Sequence, residues 1–468
     1  MTPQIRPKPR LWLGLIGGLI GLSLGLRLWG LGRWNQLIFD EIYYIPFALN
    51  YLNHTPAFDA HPPLGKYLIA LGLWLGQWPA DWFHWPRVII EGQSVSLLSG
   101  RWMNALVGAT LPTLVAVLAY GLSAGYPASR RRRFMVVAMI CMTLEGITLV
   151  ESRLALINLY WLWFGLLGQV FWIWAQGAPG RVLAGMALGS AVNVKWNGAA
   201  FPLGLLLWET LQASRSGQWP WRRWGLYLAL IPGLTYGLLW VPHLAMTGES
   251  FGAVHQHLWV FHQILGVQGS AHPYCSAWFT WPLMVRPIAY FYQAPSTSPS
   301  SASAITLQAM GNPILWWLST AAVLALGLAW YQGWRKGALS CVTGFPDQPS
   351  SDPDSPLTEN PGTKLPWAQP FPVPSFLVIN YLTQWLPWLL VSRCTFLYHA
   401  LGMVAFSTLA LAWLVSGWLG HRHRSHHLWA WGLLGLITVG FLFWLPLFMG
   451  WPLAPGALAR RWWLPTWI

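Results

Sequence analysis

The sequence predicts an all-α polytopic membrane protein. Of its 468 residues, 55% are hydrophobic and only 9% are charged, and apolar runs of about twenty residues, the length a helix needs to cross a bilayer, recur from end to end. Tryptophan is the third sign: 37 are present, and Trp12, Trp34, Trp74, Trp78, Trp82 and Trp85 stand where such runs should meet water. A formal charge of +14 raises nucleic acid as a partner. The basic residues form short clusters between apolar runs, however, where the cytoplasmic bias of Lys and Arg accounts for them, so no nucleic-acid partner is expected.

Taken in order, the first run, 11–31, follows Arg6, Lys8 and Arg10, is too long for a signal-peptide core and lacks a small-residue cleavage site, so it should stay as an anchor. Further spans are expected near 102–122, 134–151, 155–175, 181–195, 199–212, 224–243, 313–333, 376–391, 396–419 and 428–449, about eleven in all. With a cytoplasmic amino terminus, the clusters Arg130-Arg131-Arg132-Arg133, Arg215 with Arg222-Arg223, Arg335-Lys336 and Arg422 with Arg424 fall inside. The carboxyl terminus then lies outside, and Arg460-Arg461 departs mildly from the rule. Two long segments, 32–101 and 244–312, face outward. The stretch 64–78 is short for a crossing and flanked by Trp and Pro, and reads as an interfacial helix.

Residues 337–375, rich in Pro, Ser and Asp, read as a disordered cytoplasmic loop in which no chemistry is expected. The chain thus divides into an amino-terminal membrane module (1–249) that includes outward loop 32–101, an outward loop (250–312) and a carboxyl-terminal four-helix module (313–468). Cys141, Cys275, Cys341 and Cys394 fit no metal-ligand spacing and read as packing thiols, implying neither a disulfide framework nor a zinc site. No dinucleotide fingerprint, P-loop or zinc-protease motif occurs, so no cofactor and no metal is expected. The many glycines read as helix-packing residues.

Polar chemistry concentrates just after the first span. Phe39-Asp40-Glu41 is followed, twenty residues after Glu41, by His61-Pro62-Pro63-Leu64-Gly65-Lys66, in a chain with only 13 carboxylates. Asp40 could cap a short helix beginning near Ile42, with Glu41 in its first turn. Adjacent residues project in different directions, so the two acids make a poor acid/base pair; one can act while the other orients. In the second segment the prolines fix the backbone, the glycine permits close approach, and His61 and Lys66 offer donors to an anion. A rigid interfacial turn with a snorkelling lysine is the alternative. Lys195 and Glu145 lie within apolar runs, where charge is costly and is either paired or functional.

In combination and order these segments resemble the protein O-mannosyltransferase family, membrane enzymes of the GT-C glycosyltransferase class. Asp40-Glu41 resembles the family's acidic pair, and its HPPLGK segment stands intact at His61 to Lys66. Arg101 is similar to an arginine opening the second span. Glu145-Gly146 with Ser152-Arg153-Leu154, Gly189 with Lys195-Trp196, His272-Pro273-Tyr274 followed by Trp278, Trp281-Pro282-Leu283 and Arg286-Pro287, and Phe396-Leu397-Tyr398-His399 resemble further family segments in family order. Asn158 departs from the pattern, standing where an aspartate is usual. The beta-trefoil module of eukaryotic members has no room here, as in bacterial members.

The resemblance implies a GT-C fold with amphipathic helices in the first outward loop, and inverting transfer of mannose from polyprenyl-phosphate mannose to Ser or Thr of exported proteins. The implied setting is the bacterial plasma membrane, with the active site on the outer face and room for association with a translocon. Such a reaction needs a base for the acceptor hydroxyl, cations for the released phosphate and an apolar groove for the lipid. Outside the cytoplasmic segments the carboxylates are Asp40, Glu41, Asp59, Asp81, Glu91, Glu145, Glu151 and Glu249. The resemblance selects Asp40 as the base, with Glu41 organising the loop. Arg101, Arg153, Arg286 and Arg393 are candidates for the phosphate, and His61, Lys66, His272, Tyr274 and His399 for further substrate contacts. A transferase that glycosylates a lipid, like the lipid A aminoarabinose transferases, is the rival enzyme. A lipid transporter or scaffold without chemistry is the rival from another class.

Overall fold

In a computed structural model, the structure describes residues 9–55, 58–264, 272–295, 303–335 and 373–468. A helix stands at each expected span. α1 (Pro9–Leu28) leads to the first of the two segments expected to face outward, which holds α2 (Glu41–Leu52), α3 (Leu64–Trp82) and a hairpin of β1 (Val88–Ile90) with β2 (Gln93–Val95). α4 (Leu97–Leu122), α5 (Ala128–Thr143), α6 (Gly146–Glu151), α7 (Asn158–Trp174), α8 (Ala178–Val194) and α9 (Ala200–Ser216) follow. α10 (Trp221–Trp224) runs through a π-helical turn into α11 (Ile231–Thr247), and α12 (Phe251–Ile264) opens the second outward segment. A second antiparallel hairpin, β3 (Ile288–Gln293) with β4 (Ile305–Ala309), precedes α13 (Pro313–Arg335), α14 (Val373–Trp385), α15 (Leu401–Trp418), α16 (Arg424–Met449) and the short α17 (Pro455–Ala459).

Among the described residues five helices are long and apolar enough to cross a membrane: Leu97–Leu122, Trp221–Thr247, Pro313–Gly333, Leu397–Trp418 and Arg424–Met449. They differ in place. Of the Leu397–Trp418 window 94% is buried, so this helix is the central post, whereas the Trp221–Thr247 window is only 17% buried and lies on the periphery.

Three details depart from the linear reading. Among the described residues two small hairpins interrupt the helical fold, one in each of the segments expected to face outward. The run at 134–151 is broken after Thr143, because the Glu145 carboxylate accepts from the backbone N–H groups of Ile147 (3.1 Å) and Thr148 (2.7 Å) and starts a new helix there. The stretch 64–78 belongs to a longer helix, α3, which ends at Trp82 and is not among the five that could cross. The loop expected at 337–375 lies outside the described residues except for its last three.

The two long segments between helices pack together with the carboxyl-terminal tail. The carboxyl-terminal tail packs on the second outward segment: Arg286 Nη1 donates to the Thr466 carbonyl (2.8 Å), and Trp467 Nε1 to that of Met284 (2.9 Å). The first outward segment joins them, with the Trp34 and Phe291 rings 4.6 Å apart. On the basic side, Arg133 Nε of α5 donates to the Ser416 carbonyl of α15 at 3.2 Å.

Candidate active site

Asp40 sits at the N-cap of α2 but makes no capping hydrogen bond with its side chain. Among the described residues its carboxylate has no hydrogen-bond partner, and the residue is half-buried. Burial pushes its pKa up from 3.8 to about 6, while the nearby Lys195 ammonium holds it down and Asp59 adds to the rise. The preceding residue, Phe39, carries the left-handed φ of +54°.

Glu41, one residue on, does the opposite: it is fully buried and fully satisfied. Its two oxygens accept a fork from Arg101 (Nε 2.7 Å, Nη2 2.6 Å) and also the backbone N–H groups of Ile38 (3.0 Å) and Ala155 (2.8 Å). Arg101 in turn donates to the carbonyls of Trp34 (2.6 Å) and Gln36 (2.9 Å). This network fixes the loop that carries Asp40, and it leaves the Arg101 guanidinium committed to protein.

The four candidate arginines therefore separate. Arg153 holds the carbonyls of Leu26, Arg27, Trp29 and Gly30 at the end of α1. Arg286 holds those of Pro273 and Thr466. Among the described residues Arg393 makes only a long 3.4 Å hydrogen bond, to the Cys394 carbonyl, and it lines a cavity of about 590 Å³ with Lys195, His61 and His262. Leu203, Trp259, Leu390 and Val391 supply an apolar side to that cavity, and Leu390 is 87% exposed.

Lys195 ends α8 in extended backbone. Its Nζ donates to Asn158 Oδ1 (3.0 Å) and stands 5.0 Å from the centre of the Tyr398 ring. Asn158 Nδ2 passes the link to Glu151 (3.2 Å), whose other oxygen accepts from the Tyr290 hydroxyl. The position where an aspartate would be usual thus holds a neutral bridge between a buried acid and a lysine on the cavity wall.

The His61 to Lys66 segment forms a tight turn. Lys66 Nζ is bound to Asp59 (2.6 Å) and to the His61 carbonyl (2.7 Å), so it braces the turn. A Cβ on Gly65 would lie 2.7 Å from Ile157 Cγ2, which is why α3 can approach α7 so closely here. The His61 imidazole reaches the cavity; burial and the surrounding Lys195, His262, Lys66 and Arg393 push its pKa well below the ordinary value, so it is neutral.

Cysteine chemistry corrects the packing-thiol reading. Cys275 and Cys394 form a disulfide across a sequence separation of 119, while Cys141 is a buried free thiol and Cys341 lies outside the described residues. The bond fastens the His272-Pro273-Tyr274 loop beside Arg393, reinforced by Ser276 N to the Thr395 carbonyl (2.8 Å) and Thr395 Oγ1 to the Ser276 carbonyl (2.7 Å). Tyr274 lies under the Arg286 guanidinium at 5.4 Å, and exposed His272 packs edge-on against Phe396 at 5.2 Å. His399 is buried behind the cavity, 4.5 Å from Trp388. Among the described residues no group of three or more His, Cys, Asp or Glu could hold a metal ion.

The sequence model of dolichyl-phosphate-mannose-protein mannosyltransferases matches residues 19–246, and that of the C-terminal four-TMM region of protein-O-mannosyltransferase matches 247–467. The chain belongs to the protein O-mannosyltransferase family. This family member is 24% identical to the polyprenol-phosphate-mannose–protein mannosyltransferase of Mycobacterium tuberculosis over 97% of this chain and 91% of that one. It is 23% identical to the Mycolicibacterium smegmatis protein of the same name, over 92% and 87%. Among solved structures it resembles the Saccharomyces cerevisiae Pmt1–Pmt2 complex bound to the sugar donor, with a TM-score of 0.77 at 14% identity, covering 100% of this chain and 93% of that one. That likeness shows that the two share a fold.

Sequence reasoning did not single out Tyr290 or His262, and the role of Asn158 as a bridge was not legible. Tyr290 lies in a run, Ala289-Tyr290-Phe291-Tyr292, that carries only a strand signal. His262 lies on an amphipathic helix whose cavity-facing side depends on how α12 docks.

Proposed function

We propose that this mannosyltransferase moves mannose from a polyprenyl-phosphate mannose to Ser or Thr hydroxyls of exported proteins, with inversion at the anomeric carbon. The observation that carries the proposal is the pairing of an uncapped, partly desolvated Asp40 carboxylate with a cation-lined cavity through the shared Lys195. The relatives' names supply the donor class, and the geometry supplies matching parts.

Asp40 is ionised at neutral pH and basic enough to take a proton from a hydroxyl. As the acceptor oxygen forms its bond to the anomeric carbon, its proton passes to Asp40 and the bond from that carbon to the phosphate oxygen breaks. The leaving polyprenyl phosphate keeps the electron pair, and its charge falls to Arg393 and Lys195, with neutral His61 as a hydrogen-bond partner. Lys195 suits this task because its immediate partner is the neutral Asn158 amide, so its charge is not cancelled by direct contact with a carboxylate. The apolar wall around Leu203, Leu390 and Val391 suits the polyprenyl chain. One protein carboxylate suffices for a single displacement, since no covalent glycosyl intermediate is required.

The Cys275–Cys394 disulfide supports an outward active face, because such bonds persist on the oxidising side of a bacterial membrane. The chain is then a plasma-membrane enzyme with its amino terminus in the cytoplasm. The test incubates purified protein with radiolabelled mannosyl polyprenyl phosphate and offers a Ser/Thr-rich peptide, its Ala-substituted counterpart and membrane lipids. Label on the Ser/Thr peptide alone is expected. Label on lipid alone would transfer the proposal to the rival enzyme, and no label anywhere would favour a scaffold.

A further inference from the structure

Tyr290 takes no part in the chemistry above, yet it stands where the two outward segments meet beside Asp40. In the β3–β4 ladder Ala289 pairs with Gln308 and Phe291 with Leu307, leaving Tyr290 as the extra residue of a β-bulge. A bulge bends the strand locally and leaves its extra residue unpaired in the ladder. Here the ring of that residue is buried, like Ile288 two residues earlier, and lies flat on Phe39, with centroids 3.9 Å apart and planes 12° apart, while its hydroxyl donates to Glu151.

Phe39 is an unusual residue for its backbone. At φ +54° a glycine would be free of strain, whereas an aromatic L-residue is held there only by its surroundings. The surroundings are aromatic: Tyr290 on one face, and Tyr398 edge-on at 6.1 Å. The next residue is Asp40, which occupies a helix N-cap without using it. An aspartate at an N-cap ordinarily turns back to accept from the first N–H groups of its helix; here Asp40 is itself helical (φ −68°, ψ −2°), and those N–H groups go to the backbone carbonyls of Ile38 (3.1 Å), Phe39 (3.3 Å) and Asp40 (3.0 Å), which the Phe39 conformation places.

We infer that Tyr290 is a positioning residue: its ring, carried at the bulge and stacked on Phe39, clamps Phe39 in the left-handed conformation and so keeps the Asp40 carboxylate off the α2 amino terminus and available for catalysis. The inference rests on the reading of Asp40 as the base. The groups that face Asp40 are Lys195, Asp59, Glu151, Tyr44, Tyr290 and Tyr398, so the clamp sets which of these fields the carboxylate feels.

The test is a kinetic cycle of four proteins, wild type, Tyr290→Leu, Phe39→Gly and the double variant, assayed for mannose transfer per folded enzyme, with Asp40→Asn alongside. Tyr290→Leu should lower kcat by about 10- to 100-fold, the scale of a misplaced catalytic group, with the donor KM unchanged. Its pH–rate midpoint should fall, because a carboxylate that regains helix N–H partners is a weaker base. In the Phe39→Gly background the same substitution should cost no more than about twofold, since glycine holds the left-handed conformation without a clamp. Tyr290→Phe keeps the ring and should stay near wild type; if Tyr290→Leu does not fold, Tyr290→Met replaces it in the cycle. Equal losses from Tyr290→Leu in both backgrounds, or a Tyr290→Phe loss as large as that of Tyr290→Leu, would overturn the clamp while a collapsed Asp40→Asn still upheld the base. Full activity of Asp40→Asn would overturn both.

Discussion

Asp40→Asn should make the protein more stable while removing its activity. The carboxylate is held at a pKa of about 6 against an ordinary 3.8, chiefly by burial. The folded state therefore binds this proton more tightly than the unfolded state. The contribution to stability is fully present below about pH 3.8 and is lost as pH rises through about 6. At pH 7 the ionised group opposes folding by up to about 3 kcal/mol, from roughly two pH units at 1.36 kcal/mol each. Solvent reaching its partly exposed edge reduces this, and a neutral amide of the same shape should recover about 1–3 kcal/mol. The assay is reversible denaturant unfolding in detergent micelles, followed by tryptophan fluorescence at pH 7 and pH 4. A gain at pH 7 that disappears at pH 4 is expected. An Asn variant no more stable than wild type at pH 7, or equally stabilised at both pH values, would refute the reasoning.

Lys195→Met and Arg393→Ala should each raise the donor KM by about 10- to 100-fold, the scale of one hydrogen bond to a charged group, as read by donor titration; an unchanged KM in both would remove them from the phosphate site. Glu41→Gln should cost about 3–5 kcal/mol by leaving Arg101 buried against a neutral partner, and Arg101→Lys should fare little better because an ammonium cannot reproduce the fork; thermal unfolding at wild-type temperature would exclude this. Cys275→Ser should lower stability by about 2–4 kcal/mol and weaken donor binding through the freed Arg393 segment, and thiol labelling that finds Cys275 and Cys394 free in native wild-type protein would show that no such bond forms.

The membrane class, the places of the helices and the neighbourhood of Asp40 were legible because each rests on local pattern. Adjacent acids must diverge on a helix, and Asp40 and Glu41 do: one is free and the other is locked to Arg101. The fates of the arginines were not legible. Arg153 and Arg393 look alike in sequence, and only tertiary packing decides that one caps α1 while the other lines the cavity. The Cys275–Cys394 bond and the Phe39–Tyr290 stack join residues separated by 119 and by about 250 positions, distances over which periodicity carries no information. Glu145 breaking an apolar run was hidden for a different reason, since hydropathy averages over a single polar cap.

The central claim is that Asp40 takes the acceptor proton. It is tested most directly by single-turnover transfer of labelled mannose from polyprenyl-phosphate mannose to a Ser/Thr peptide, comparing wild type with folded Asp40→Asn across pH 5 to 8. The wild-type rate should rise with pH about a midpoint near 6, and the variant should lose about 10²- to 10⁴-fold with no such midpoint. A variant that transfers mannose at the wild-type rate, with the same pH profile, would contradict the account.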